Sequence, residues 1–174
     1  MQFLNALFVP AVVGAALALV LVVYGPATAA FGVLLNAFVV SQVAGWAQVA
    51  SFELPGPYYC LTRIERNGRI YVYAGVLLFK RVMTSRRYRA FNPAFDASHW
   101  HRRPEELTAR MRHAEGAHAV AFGIALGLSV ITVALGSLIA AMWILLFNVV
   151  GNAYPVMLQR YNRARVERLS TRQR

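Results

Sequence analysis

The apolar part of the chain gives way to a basic tail within Tyr154-Pro155-Val156-Met157-Leu158-Gln159-Arg160-Tyr161-Asn162-Arg163. Residues 159–163 of this stretch bring two guanidinium groups, two amides and one phenol together. A tail that only has to stay soluble does not need so many hydrogen-bonding groups in so few residues. The stretch therefore marks both the end of an apolar segment and a candidate functional site.

The composition is that of an integral membrane protein. Hydrophobic residues make up 58% of the 174 residues and charged residues only 14%, whereas a soluble domain averages about 25% charged residues. The net charge is +11, which in a soluble protein would suggest nucleic acid binding. Residues 1–52 and 116–159, however, contain no Lys, Arg, Asp or Glu, and the basic residues lie in two blocks, 63–112 and 160–174. This arrangement is typical of cytoplasmic loops and argues against a nucleic acid partner.

Four apolar runs are long enough to cross about 30 Å of hydrocarbon at about 1.5 Å per residue. We predict spans at about residues 4–24, 28–50, 115–135 and 138–158. A basic cytoplasmic segment, about residues 53–114, separates the second and third spans, and residues 159–174 form a basic tail. The predicted fold is all-α, a single membrane domain built as an integral membrane four-helix bundle. The positive-inside rule then places both termini in the cytoplasm.

The first apolar run has an alternative interpretation as a cleaved signal peptide, because Ala27-Thr28-Ala29 loosely resembles a cleavage site. No basic residue precedes the run, however, and the run exceeds the roughly 7–15 residues usual in signal peptides. We therefore expect a retained helix, in which Pro10 either introduces a kink or lies near the first turn.

In the middle segment, residues 69–79 are apolar but too short to span, which favours an interfacial or re-entrant piece. Basic residues come next in the chain, and they are compatible either with binding to an anionic headgroup surface or with a simple topology signal. They are Lys80, Arg81, Arg86, Arg87 and Arg89. Asn67-Gly68 predicts a turn. Pro104-Glu105-Glu106 predicts the start of a helix that continues without a break into the third span.

Glu115 and His118 lie at the entry to the third span, where their spacing places them on one helix face with Arg112. Ionisable residues at membrane depth are functional candidates. The alternative is an ion pair between Glu115 and an arginine that ties helix ends together. If the third and fourth spans form a hairpin with its tip at Ser137, His118 and Gln159 are both about 30 Å from the tip. Antiparallel packing therefore predicts that Glu115 and His118 lie level with residues 159–163.

Pro155 lies inside the fourth span, where a proline frees the carbonyl four residues earlier, here that of Gly151. Asn148 and Asn152 share a face one turn apart. The last two turns of this span are therefore polar and kinked, and we expect them to face the protein interior, since lipid would tolerate them poorly.

The residue types favour acyl transfer to a hydroxyl group. His118 is a candidate general base that Glu115 would orient, and Arg160 and Arg163 are candidates for holding a phosphate or an oxyanion. No Ser or Cys nucleophile is near, which favours direct transfer. The alternative is a metal site, because Glu-x-x-His on a helix is typical of metal ligands in helix bundles, but the chain has only one such motif. Cys60 is the only cysteine, which excludes an internal disulfide and a cysteine metal site, and we expect an inert thiol.

Two motifs together resemble the glycosyl-4,4'-diaponeurosporenoate acyltransferase family of small bacterial membrane proteins. They are Arg112-x-Ala114-Glu115-x-x-His118 and Tyr154-Pro155-x-x-Leu158-Gln159-Arg160-Tyr161-Asn162-Arg163-x-Arg165. The resemblance covers roughly residues 71–168. It implies a multi-pass protein of the bacterial cell membrane that transfers a fatty acyl group to a hydroxyl of a glycosylated carotenoid or another membrane glycolipid.

From the residues and this resemblance together, we expect His118 and Glu115 to be catalytic. The residues expected to bind substrate are Arg112, Asn152, Gln159, Arg160, Tyr161, Asn162 and Arg163. The expected partners are a membrane lipid and an acyl donor, with acyl-CoA as co-substrate and no other cofactor or metal. The rival interpretation is a non-catalytic membrane subunit that binds lipid headgroups or a partner protein. In that case Glu115 and His118 should be paired and enclosed, whereas an enzyme should keep them open to a cavity.

Overall fold

The computed structural model describes residues 2–50, 53–85 and 104–172, and all regular structure in these ranges is helical. Five helices are long: α1 (Gln2–Tyr24), α2 (Ala29–Ala50), α6 (Pro104–Ala134), α7 (Leu138–Asn148) and α8 (Tyr154–Arg172). Three helices are short: α3 (Arg63–Arg66), α4 (Arg69–Tyr73) and α5 (Val76–Met83). A 3-10 turn occupies Gly56–Tyr59, and a π-helical turn, Val149–Ala153, joins α7 to α8.

The residues fall into two compact units by their contacts. The first unit comprises residues 1–53 and 116–155, and the second comprises 54–115 and 156–174. The first therefore holds α1, α2, α7, the π-helical turn and the later part of α6. The second holds the short helices, the 3-10 turn, the start of α6 and most of α8.

In the first unit, α2 packs closely against α7. A Cβ added to Gly32 would lie only 2.8 Å from the backbone carbonyl carbon of Trp143, so this contact requires a residue without a side chain. One turn further along α2, the buried Asn36 amide donates to the carbonyl of Ile144 at 3.0 Å. Small residues and amide hydrogen bonds are the usual means by which helices associate in membranes.

The turns of the first unit follow the glycines that the sequence offers. Gly25 and Gly136 both have a positive φ, which is a conformation that suits glycine. Ser129 on α6 donates to the carbonyl of Ala141 on α7 at 3.0 Å, so these two helices form an antiparallel hairpin around Gly136-Ser137. The predicted hairpin between the last two apolar segments is therefore confirmed.

Three helical segments in the described ranges are long and apolar enough to cross a membrane: Ala29–Ala47, Glu106–Ala134 and Leu138–Leu169. They correspond to the second, third and fourth predicted spans. In α1 the apolar stretch Pro10–Tyr24 is shorter than these, and Pro10 lies inside the helix. A fourth span and the four-helix bundle therefore stay predictions.

The second unit contains the short helices of the predicted basic segment. Gly68 and Gly75 have positive φ at the starts of α4 and α5, which confirms the turn predicted at Asn67-Gly68. α6 begins at Pro104 and continues to Ala134, as predicted. The basic residues Arg86, Arg87 and Arg89 lie outside the described ranges.

The helices α4 and α5 have five and eight residues, too few to span a membrane. They expose large apolar side chains, including Tyr73 at 87% and Leu78 at 67%. These exposures agree with an interfacial position for residues 69–79, which stays a prediction.

Candidate functional site

The predicted site residues are divided between the two units. Glu115, Arg160, Tyr161 and Arg163 belong to the second unit, whereas His118 and Asn152 belong to the first. Glu115, Arg160 and Arg163 are joined by hydrogen bonds in the second unit, and His118 is joined to Asn152 in the first.

In the second unit, Glu115 is fully buried and both of its carboxylate oxygens are occupied. Arg160 Nε donates to one oxygen at 2.8 Å, and Arg163 Nε donates to the other at 3.0 Å. Arg163 Nη2 also lies 2.8 Å from that second oxygen. The register of the last two apolar segments predicted that Glu115 and His118 both lie level with residues 159–163. These contacts confirm the prediction for Glu115, whereas the partner of His118 is Asn152, seven residues before Gln159.

The same two arginines hold the 3-10 turn. Arg160 Nη2 donates to the carbonyl of Tyr58 at 2.6 Å, and Arg163 Nη1 donates to the carbonyl of Tyr59 at 2.8 Å. The guanidinium carbons also lie 4.9 Å and 5.7 Å from the centroids of the Tyr58 and Tyr59 rings. A planar guanidinium with donors at fixed angles suits such a multiple contact better than an ammonium would.

Glu65 is the second carboxylate of this network, and the sequence interpretation missed it. Its Oε1 accepts from Arg160 Nη1 at 2.7 Å and from the Tyr71 hydroxyl at 2.7 Å. Its Oε2 accepts from the backbone N–H and the hydroxyl of Thr62, both at 2.8 Å. Thr62 and Glu65 form a capping box at the start of α3. Its sequence signature, Thr-x-x-Glu, was therefore a usable signal.

The network fixes the ionisation of Glu65. Burial opposes the charged form, but hydrogen bonds from Thr62, Tyr71 and Arg160 outweigh it and lower the pKa of Glu65 from 4.5 to about 2. Burial and the adjacent Glu65 carboxylate raise the pKa of the Tyr71 hydroxyl. Tyr71 is therefore a neutral donor, and Glu65 carries a full negative charge at neutral pH.

Among the described residues of this network, the negative charges of two carboxylates are matched by the positive charges of two guanidinium groups. Arg160 uses all three of its nitrogens, to Glu115, Glu65 and the carbonyl of Tyr58. Arg163 is only 2% exposed. A substrate anion at either guanidinium would therefore compete with contacts that the protein already makes.

The remaining predicted residues of the second unit line the margin of this network. The ring of Tyr161 packs edge-on against the ring of Tyr71, with 6.4 Å between the two centroids. The ammonium nitrogen of Lys80 lies over the Tyr161 ring, 5.7 Å from its centroid. The pKa of Lys80 is lowered, mainly by burial and to a smaller extent by repulsion from Arg165. Arg112 is exposed and lies 5.6 Å from the centroid of the Tyr59 ring. Partly exposed positions are also occupied by Gln159 and Asn162.

In the first unit, His118 begins a chain of amides. His118 Nδ1 lies 3.2 Å from Asn152 Oδ1, Asn152 Nδ2 donates to Asn148 Oδ1 at 2.8 Å, and Asn148 Nδ2 donates to the carbonyl of Phe122 at 3.0 Å. Asn148 and Asn152 are fully buried, whereas His118 is partly exposed. The predicted inward orientation of Asn148 and Asn152 is confirmed.

The direction of this chain determines the tautomer of His118. Because Asn152 uses its amide hydrogens toward Asn148, it presents only a carbonyl oxygen to the imidazole. Nδ1 must therefore carry the proton and donate it. In the neutral ring this leaves Nε2 with the lone pair, which is the state that a general base requires.

The π-helical turn explains how Asn152 reaches His118. A proline at position 155 cannot donate to the Gly151 carbonyl, and the helix widens into a π-helical turn over Val149–Ala153 just before it. Asn152 lies inside this π-helical turn, shortly before Pro155, where the sequence predicted a polar and kinked end of the span.

The roles predicted for these residues stay predictions. Asn152 makes the contact that orients His118, through Nδ1 of the imidazole. Glu115, which was predicted to orient His118, is hydrogen-bonded to Arg160 and Arg163. Over the residues that the structure describes, no three His, Cys, Asp or Glu side chains are grouped so that they would hold a metal ion.

No curated protein and no solved structure matches this chain. A model of one protein family does match, over residues 55–172, which is more than half of the chain. That family is described as glycosyl-4,4'-diaponeurosporenoate acyltransferase. The matched region contains Glu65, Glu115, His118, Asn152, Arg160 and Arg163. The chain therefore belongs to the glycosyl-4,4'-diaponeurosporenoate acyltransferase family.

Proposed function

We propose that this protein is a membrane acyltransferase that moves a fatty acyl group onto a hydroxyl of a glycosylated carotenoid or another membrane glycolipid. Family membership supports the reaction class. The observation that carries the assignment to a residue is the contact between His118 Nδ1 and Asn152 Oδ1 at 3.2 Å. With Nδ1–H held by Asn152, Nε2 of the partly exposed imidazole is free to act as a base. Acyl transfer to a hydroxyl group requires such a base.

In the proposed reaction, His118 Nε2 accepts the proton of the acceptor hydroxyl as its oxygen attacks the acyl carbonyl carbon. The bond between that carbon and the leaving group then breaks. With acyl-CoA as donor, the leaving thiolate takes the proton from the imidazolium, and His118 returns to its neutral form. Asn152 holds the ring throughout, because its carbonyl oxygen accepts from Nδ1–H in both the neutral and the cationic state.

Arg160 and Arg163 are assigned a supporting role in this proposal. Their donors are used by Glu115, Glu65 and the carbonyls of Tyr58 and Tyr59. Removing an arginine from such a network leaves a buried carboxylate without its partner, which is costly. We propose that the pair stabilises the second unit and that Glu115 is its buried counter-ion.

The test is lipid mass spectrometry of host membranes that express the intact protein, His118→Ala or His113→Ala. We expect an acylated lipid with the intact protein and with His113→Ala, and a loss of about 100-fold to 10,000-fold in its rate of formation with His118→Ala, as for removal of a general base. His113 is a matched control because it is a partly exposed histidine of the same helix. Full activity of a folded His118→Ala variant would refute the role of His118.

A second candidate function is a non-catalytic membrane subunit. The enclosure of Glu115 favours it, since this residue is fully buried and both of its oxygens are occupied. In that case the lipid composition would be the same with and without the protein, in a host that makes glycosylated carotenoids and expresses the folded chain. The same mass spectra therefore decide between the two functions.

A further inference from the structure

The first unit contains an apolar groove between α2 and α6. Its volume is about 280 Å³, and it is lined by Leu35, Phe38, Val39, Gln42, Val43, Ile124 and Leu128. Typical ligand pockets begin at about 300 Å³, so the groove has room for part of a long molecule. Among the described residues that line the groove, Gln42 is the single polar one.

The groove is elongated along the helices. Leu35 and Gln42 are seven residues apart on α2, a rise of about 10 Å. On α6, Ile124 and Leu128 lie six and ten residues beyond His118, which corresponds to about 9 Å and 15 Å. An apolar groove that extends about 10 Å along a helix suits an extended alkyl chain.

One side of the groove borders the surroundings of His118. Val39 and Val43, which line the groove, form a core cluster with Ala121. Ala117 and Val120, which flank His118 in the sequence, pack against the same cluster. His118 is also the only histidine within residues 1–53 and 116–155.

We propose that this groove seats the alkyl chain of the acyl group that is transferred, with the carbonyl end toward His118 and the methyl end toward Leu128. The inference rests on the proposed function and deepens it, because it makes the groove the part of the protein that measures acyl chain length. Ile124 lies along the path of the chain. It is 45% exposed, so a larger side chain there enters the groove without disrupting the buried core.

The first measurement is the chain-length distribution of the acylated lipid in host membranes. Ile124→Trp should narrow the groove and lower the ratio of long to short acyl chains at least about tenfold, since a hydrophobic pocket discriminates a single methylene by about that factor. Ile124→Ala should shift the ratio toward longer chains. The matched control is Ile131→Trp, the same change on α6 at a position that is 55% exposed and outside the groove lining. It should leave the ratio unchanged.

The second measurement does not require turnover. His118→Ala protein in phosphatidylcholine nanodiscs is photolabelled with a diazirine-bearing palmitic acid, and the labelled peptides are mapped. We expect labelling at residues 35–43 and 124–128 that is lost when Ile124→Trp is added and kept when Ile131→Trp is added. Uniform labelling along α6, unaffected by Ile124→Trp, would mean that only bulk lipid fills the groove and would overturn the inference.

The two measurements separate the groove from the function. If acyl transfer proceeds and both tryptophan variants give the same chain lengths as the intact protein, the groove is not the chain site and the proposed function stands. If the intact protein acylates nothing, the proposed function fails. Groove-specific labelling in that case would identify a lipid-binding site, and the role in acyl transfer inferred for the groove would be overturned.

Discussion

Glu65 makes the stability of the second unit depend on pH. Its pKa is about 2 in the folded protein, compared with 4.5 as the ordinary value. A depressed carboxyl pKa contributes stability that is fully present above about pH 4.5 and is lost as the pH falls toward 2. The contribution is at most about 3 kcal/mol, which is the free-energy equivalent of this shift.

We therefore expect Glu65→Gln to lower the unfolding midpoint at pH 7 and to flatten its decline between pH 4.5 and 2. Thermal unfolding in detergent, followed by tryptophan fluorescence across this pH range, measures both effects. Glu106→Gln, a change at an exposed carboxylate of α6, is the control and should follow the intact protein. If the two variants lose stability with the same pH dependence, Glu65 is not the group responsible.

Glu115 should matter more for stability than Glu65, because its side chain is fully buried and faces two arginines. Breaking a buried ion pair by removing one partner typically costs about 3–5 kcal/mol. We expect Glu115→Gln to destabilise the protein by about this amount in denaturant unfolding. His118→Ala, which removes a partly exposed ring, should cost less. A Glu115→Gln variant with intact stability and no activity would instead support the catalytic role predicted for Glu115.

At the scale of residues, the sequence predicted which residues would meet better than it predicted what they would do. Helix length alone placed Glu115 level with Arg160 and Arg163, because a helix rises by a constant distance per residue. Their roles depend on competing partners, and the carbonyls of Tyr58 and Tyr59 have no signature in the sequence. The orientation of His118 by Asn152 could not be predicted either, since it depends on the extra width of the π-helical turn.

At the scale of helices, the contact between α2 and α7 depends on Gly32. A Cβ at this position would lie within 3.0 Å of both the carbonyl carbon and the oxygen of Trp143, and backbone atoms cannot move aside as a flexible side chain can. We expect Gly32→Ala to destabilise the protein by about 1–3 kcal/mol, the usual cost of overpacking. It should be measured by thermal unfolding in the same detergent.

Gly127→Ala is the matched control for this change. Gly127 is also a helical glycine of the first unit, but a Cβ there would meet nothing within 4 Å. Alanine has the higher helix propensity by about 1 kcal/mol, so this variant should be neutral or slightly stabilised. Equal losses in both variants would point to a general intolerance of helical glycines and not to the contact with Trp143.

The helices themselves followed closely from the sequence. Prolines, glycines and apolar runs act locally, and they predicted the start of α6 at Pro104 and the turns at Gly68 and Gly136. The association of helices was less predictable. In the sequence, Gly32 and Asn36 look like ordinary residues of an apolar run. Their importance depends on the close approach of α7, which leaves no room for a side chain at Gly32 and brings the carbonyl of Ile144 within hydrogen-bond distance of Asn36.

At the scale of the whole molecule, the number of spans determines where the termini lie. Three helices of the described ranges are long and apolar enough to cross a membrane, and α1 has a shorter apolar stretch, Pro10–Tyr24. If α1 also crosses, both termini lie on one side, and if it does not, they lie on opposite sides. The basic residues that begin at Arg160 favour a cytoplasmic C-terminus.

We expect four spans with both termini in the cytoplasm. The measurement is labelling by a membrane-impermeant maleimide in intact cells and after lysis, with single cysteines introduced into a Cys60→Ser background. Gln2→Cys and Thr171→Cys should react only after lysis. Ser137→Cys, at the hairpin between α6 and α7, is the control and should react in intact cells. Labelling of Gln2→Cys in intact cells, with Thr171→Cys still protected, would mean that α1 does not cross the membrane and that the spans number three.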